Sequence, residues 1–87
     1  MKLIVNVKAG GLKQNREKAN MSQTELANKT GISLRTIQSY EQGQKNLNGA
    51  KLVTLLKFCN ALDCTLDSII TDEATLAELE KYEENIA

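Results

Sequence analysis

Between Ser22 and Gly43 the chain starts a helix, stops it and starts another, in a span that leaves room only for two brief helices meeting at a tight corner. Ser22 and Glu25 form a Ser-x-x-Glu pattern, in which each side chain accepts a hydrogen bond from the other's orphan backbone amide, and Met21 just ahead is placed as a hydrophobic staple. The helix that begins at Gln23 closes near Thr30 and Gly31, because glycine enters the left-handed conformation without a Cβ penalty. Ile32 then turns inward, Ser33 caps a helix over Leu34 to Gln42, and Gly43 ends it.

The flanking sequence builds a small helical domain around this pair. With 87 residues there is room for one core, and the absence of proline with only 3% aromatic residues is the composition of a helical protein rather than a sandwich or barrel. Lys2 to Lys8 alternates Leu3, Val5 and Val7 against Lys2, Ile4, Asn6 and Lys8, the pattern of a β-strand, and Gly10-Gly11 follows as a flexible joint. A first helix is expected over Leu12 to Asn20. Gln44 to Gly49 is loop-like, with Asn48 a candidate cap for a fourth helix whose apolar positions are Leu52, Leu55, Leu56, Cys59 and Leu62. Thr65 is placed to cap a short fifth helix bearing Leu66, Ile69 and Ile70. From Asp72 onward, Leu76, Leu79, Tyr82 or Glu83, and Ile86 recur at helical spacing, giving a last, acidic helix. The expectation is an all-α fold of five helices, with an N-terminal strand or arm over residues 1–9, a domain over 12–70 and an acidic helix over 71–87.

A formal net charge of zero conceals a strong segregation. Residues 1–64 carry ten basic against four acidic side chains, a net of +6, and residues 65–87 carry one against seven, a net of −6. A basic body suits a polyanion. Cys59 and Cys64 are the only cysteines and histidine is absent, so two thiolates would lack the other ligands of a zinc site, and no cofactor is implied. Small core thiols, reduced in a cytoplasm, are the expectation, since no signal peptide precedes the domain and no apolar run approaches a bilayer span. An enzyme is disfavoured: there is no phosphate-cradling glycine loop, no nucleophile and base at recognisable spacing, and little volume for a pocket.

Ser22-Gln23-Thr24-Glu25-Leu26-Ala27, then Lys29-Thr30-Gly31-Ile32-Ser33, then Ile37 and Tyr40-Glu41-Gln42-Gly43 resembles the Cro and phage-repressor class of helix-turn-helix proteins, the XRE family. The resemblance extends over about residues 12 to 70 and includes the Leu-rich fourth helix and the Thr65-Leu66-Asp67 start of the fifth. It implies a phage-repressor-like fold in which Ala27 is the small residue at the helix crossing, Leu26, Ile32 and Ile37 fill the space between the two helices, Tyr40 takes a mostly buried position, and Arg16 pairs with Glu41. It also implies sequence-specific binding of double-stranded DNA through a major-groove recognition helix over residues 33–42, as in a transcriptional repressor.

On that helix Leu34, Arg35, Gln38 and Ser39 share the outward face and are the candidate base readers, Arg35 first, because arginine is bidentate to guanine. Leu34 suits a thymine methyl or a place under the phosphates, and solvated helix surface is the plain alternative for Arg35 and Gln38. The candidate phosphate contacts are Gln23 at an open helix N-terminus, Ser33, Thr36, and Lys45 with Asn46 in the following loop, where Leu47-Asn48-Gly49 replaces the proline common in the family.

The ends leave several readings open. The N-terminal strand needs a partner edge, which a second copy supplies in a homodimer on a palindromic operator; a disordered arm and an arm entering DNA are the alternatives. The acidic helix packs on the domain through Leu76, Leu79 and Ile86, dimerises, or docks another protein, the last giving an antitoxin-like regulator of the same fold as the rival function.

Overall fold

The computed structural model describes residues 11–87, and every regular element among them is helical. α1 spans Gly11–Lys18, α2 Gln23–Thr30 and α3 Leu34–Glu41; a 3-10 turn over Leu47–Gly49 leads to α4, Leu52–Leu62, α5, Leu66–Ile69, and α6, Glu73–Ile86. The strand expected over Lys2 to Lys8 lies outside the described residues.

α1 stops at Lys18, two residues earlier than expected, because Asn20 takes a left-handed φ of 55° and the Met21 amide reaches back to the Arg16 carbonyl at 3.2 Å. Gly11 is also not the loose joint that its sequence suggested. It is buried as the first residue of α1, and a Cβ there would lie 2.6 Å from the Ile69 carbonyl oxygen, so only glycine lets α1 approach the end of α5 this closely. Asn15 closes the same junction, its Nδ2 donating to the Gly11 carbonyl at 2.7 Å and the Ser68 carbonyl at 3.1 Å.

The α2 start is a complete capping box: the Glu25 amide donates to Ser22 Oγ at 3.0 Å and the Ser22 amide to Glu25 Oε1 at 2.8 Å. Gly31, at a φ of 77°, ends α2 with its amide on the Ala27 carbonyl. Ser33 Oγ then accepts from the Thr36 amide and starts α3. Asn48 does not cap α4 as its position suggested. Lys51 holds that place without a side-chain bond, while Asn48 sits in the 3-10 turn and ties it to the α5–α6 junction: its Oδ1 accepts from the Thr71 and Asp72 amides and its Nδ2 donates to Thr71 Oγ1. Thr65 stands at the α5 N-cap, again without a side-chain bond, whereas Asp72 caps α6 through the Thr75 amide at 2.8 Å.

The core joins Leu12, Leu26, Ile37, Leu55, Phe58, Cys59, Ala61, Leu62, Ile69 and Ile70. α4 is its spine, but its buried face is rotated from the expected one. Phe58 and Ala61 lie inside with Leu55, Cys59 and Leu62, while Leu52 and Leu56 face out. Phe58 is fully enclosed and meets the Tyr40 ring edge-to-face at 6.1 Å between centroids, which locks α4 to α3. α6 also departs from expectation: Leu76 packs against the core and Leu79 is half-buried, but Ile86 remains 65% exposed. No helix among the described residues is long and apolar enough to cross a membrane.

Gly11→Ala is expected to cost about 1–3 kcal/mol through overpacking against Ile69, lowering the melting temperature by several degrees in a circular-dichroism melt. Burial, reinforced by the neighbouring Cys64, pushes the Cys59 thiol from an ordinary 9.0 up to about 12. Iodoacetamide at mildly alkaline pH should therefore modify Cys64 in the native protein and spare Cys59 until denaturant is added, as peptide mass spectrometry reports. Unfolded Cys59 ionises near 9.0 and folded Cys59 near 12, so its contribution to stability is complete below pH 9.0 and drains away between the two values.

Candidate nucleic-acid interface

α3 is held as a braced projection. The tight corner from Gly31 to Ser33 joins it to α2, and Ile37, fully buried, anchors its inner face beside Leu26 of α2. Thr30 stiffens the corner: its hydroxyl donates to the Leu26 carbonyl at 2.8 Å and accepts from the Ile32 amide at 3.1 Å. The outer face of α3 then presents Leu34, Arg35, Gln38 and Ser39 on one side of the helix, with Leu34 and Arg35 exposed and Gln38 and Ser39 half-buried.

Behind that face lies a polar network centred on Glu41. Arg16 of α1 donates from Nε to Glu41 Oε2 at 2.7 Å and from Nη2 to Oε1 at 3.0 Å, a two-pronged ion pair in which the Glu41 side chain is 3% exposed. Its Nη1 donates to the Met21 carbonyl at 2.9 Å, joining the turn before α2 to the same centre. Hydrogen bonding to Glu41 raises the Arg16 pKa further above its ordinary value. Gln23 of α2 donates from Nε2 to Glu41 Oε1 at 2.9 Å and accepts from Gln38 Nε2 at 3.4 Å. The chain Arg16–Glu41–Gln23–Gln38 thus runs from α1, through the interior, to the outward face of α3. The Gln23 side chain is engaged inside this network, so what it presents outward at the start of α2 is the open helix terminus.

The remaining candidates ring this face. Ser33 Oγ donates to Thr36 Oγ1 at 2.8 Å, which joins the two hydroxyls at the start of α3. Lys45 Nζ lies 5.9 Å from the centre of the Tyr40 ring, and the Lys45 and Gln44 amides both donate to the Ser39 carbonyl, which fastens the loop to the end of α3. Asn46 caps the 3-10 turn through Oδ1, which accepts from the Asn48 amide and Nδ2. Asn48, which the sequence suggested as a helix cap, is the supporting residue that sequence reasoning missed here. Its partners Thr71 and Asp72 lie more than twenty positions away, so no local pattern announces them.

Chemically the face is donor-rich: the Arg35 guanidinium, the Lys45 ammonium, the hydroxyls of Ser33, Thr36 and Ser39 and the amides of Gln38 and Asn46 lie on or beside α3. Among the described residues no cluster of three metal-ligating side chains occurs. Breaking the ion pair from one side leaves a buried carboxylate without its charge partner, so Arg16→Ala should destabilise the free protein by about 3–5 kcal/mol in urea titration, far more than a solvated arginine would. An unchanged midpoint would show that the pair is not what holds α1 to α3.

A family model described as helix-turn-helix matches residues 12–69, two-thirds of the chain and every element from α1 to α5. No curated protein and no solved structure matches. With the two short helices, the glycine corner and the outward face of α3 in place, the chain belongs to the helix-turn-helix family of the Cro and phage-repressor (XRE) type, DNA-binding regulators of transcription.

Proposed function

We propose that the protein recognises a specific double-stranded DNA sequence by seating α3 in the major groove, and that it represses transcription by occupying an operator. The observation that carries this reading is the exposure of Arg35 on the outer face of a helix braced from behind through Gln23 and Glu41. A side chain reads a base edge only if its helix arrives at a defined angle, and the buried network removes the freedom of α3 to tilt. Arg35 takes a guanine through its two-pronged donor fork, Gln38 and Ser39 read the neighbouring positions, and Leu34 meets a thymine methyl. Gln38 comes to the groove with its amide plane already oriented by Gln23.

Phosphate contacts come from the open N-terminus of α2 at Gln23, from Ser33 and Thr36 at the start of α3, and from Lys45 and Asn46 in the loop beyond it. These contacts lie on both sides of α3 in sequence, which suits a helix flanked by the two strands of a duplex. The protein acts as a pair of copies on a palindromic operator, since one α3 covers only one half-site.

Selection of bound sequences from random DNA should return a two-fold symmetric site with a guanine in each half. Arg35→Ala is expected to relax preference at that base pair, losing about 1–3 kcal/mol of discrimination. Lys45→Glu is expected to weaken specific and random DNA alike and to flatten the dependence of log affinity on log salt. If both variants weaken all sequences equally, α3 does not read bases.

A further inference from the structure

α4 is apolar on two sides. Leu55, Phe58, Cys59, Ala61 and Leu62 fill the core, yet Leu52, Val53 and Leu56 form a second apolar face turned away from it, 60%, 57% and 43% exposed. Lys51 and Lys57 border this outer face, and neither enters an ion pair among the described residues. A helix face as apolar as this one is normally covered.

α6 has the complementary surface. Leu76 is tucked against the core, but from there the stripe continues through Leu79 to Tyr82 and Ile86, which are 59% and 65% exposed. Glu78, Glu80 and Glu83 border or interrupt this stripe. A helix of 14 residues with one anchored turn is marginal in water, and its outer turns gain stability only by covering that stripe.

The segments that lead into the two helices are tied together: Asn48, ahead of α4, binds Thr71 and the Asp72 amide, just ahead of α6. We propose that a second copy of this chain covers both: the acidic stripe of α6 from each protomer packs on the basic-bordered outer face of α4 of its partner, in a two-fold reciprocal exchange. Charge selects this arrangement. Pairing α6 with α6 would set acidic flanks against each other, and pairing α4 with α4 would juxtapose Lys51 and Lys57, whereas α6 on α4 places glutamates beside lysines. Symmetry repeats each contact, so two equivalent α6–α4 contacts cover both faces of both copies. This deepens the reading of the protein as a paired DNA binder by naming the pairing surface, and it places that surface outside residues 1–9.

Sedimentation velocity over a concentration series, without DNA, tests it. The full chain is expected to dimerise, and Val53→Glu and Tyr82→Ala should each weaken the dimer, Val53→Glu by about a hundredfold because the buried charge enters twice. Both positions are exposed, so the helical circular dichroism and melting of the dilute protein should stay unchanged. Lys51→Glu with Lys57→Glu should weaken the dimer, as should Glu80→Lys with Glu83→Lys, and combining all four should restore it; restoration is a result that loss of folding does not give. A full chain that stays monomeric at roughly 100 μM, where even weak pairs associate, would overturn the proposal. So would a dimer indifferent to Val53→Glu, or one abolished by deleting residues 1–9. Binding to a DNA half-site by the Val53→Glu monomer separates the two readings: if it persists while the dimer is lost, both stand, and if no variant or full chain binds any DNA in a salt-sensitive way, the DNA reading fails without touching the pairing.

Discussion

The arrangement of the first three helices turns on one buried carboxylate. Glu41 ends α3, and its two oxygens accept from Arg16 of α1 and Gln23 of α2, so one side chain sets three elements against one another. Hydrophobic contact between Leu12, Leu26 and Ile37 brings these helices together but is non-directional and tolerates rotation. A charge that is nearly fully enclosed tolerates none, because any tilt of α3 that stretches the Arg16 fork leaves part of a carboxylate without a donor. The net energy of such a pair against an apolar substitute is small. Its value here is in orientation: it fixes the angle of α3 against α1 and α2. The same network continues through Gln23 to Gln38, so the interior geometry that fixes the angle of α3 also fixes a side chain on its outer face.

How much of this was legible in the sequence depended on how far apart the interacting residues lie. The boundaries of α2 and α3 rest on interactions within four positions: Ser22 with Glu25, Gly31 with Ala27, Ser33 with Thr36. Such signals are complete in the local sequence, and the helix-turn-helix is therefore legible from it alone. Gly11 and Asn48 were misread for the opposite reason. A glycine next to another glycine reads as a joint, but the constraint on Gly11 is the Ile69 carbonyl at the other end of the domain. An asparagine ahead of a helix reads as its cap, but the partners of Asn48 are Thr71 and Asp72.

α4 exposes a subtler limit. Leu52, Leu55, Leu56, Cys59 and Leu62 are a sound helical stripe, and nothing in their spacing prefers them over the set that includes Phe58 and Ala61. A helix apolar on two sides has no unique inward face; the choice falls to its neighbours. α2, α5 and the Tyr40 ring close on the side that holds Phe58, the only phenylalanine in the chain, and the larger apolar surface of an aromatic ring makes that the more favourable face to enclose. Leu52, Val53 and Leu56 remain outside because the domain has run out of elements to cover them, as domains of this size do.

The loop between α3 and α4 connects these two consequences. Lys45 rests near Tyr40, its amide is bound by the Ser39 carbonyl, and Asn46 is hydrogen-bonded to Asn48, which in turn holds the start of α6. The path from the outer face of α3 to the apolar face of α4 therefore runs through residues 42–51, most of them tied by hydrogen bonds or ring contacts. For a pair of copies joined at α4 and α6, that short stiff path sets the distance between the two recognition helices. Half-site spacing on DNA is then a property of the loop as much as of the interface: a longer or looser connection would let the same two helices meet several spacings with equal ease, and sequence discrimination between half-sites would fall even with every base contact intact.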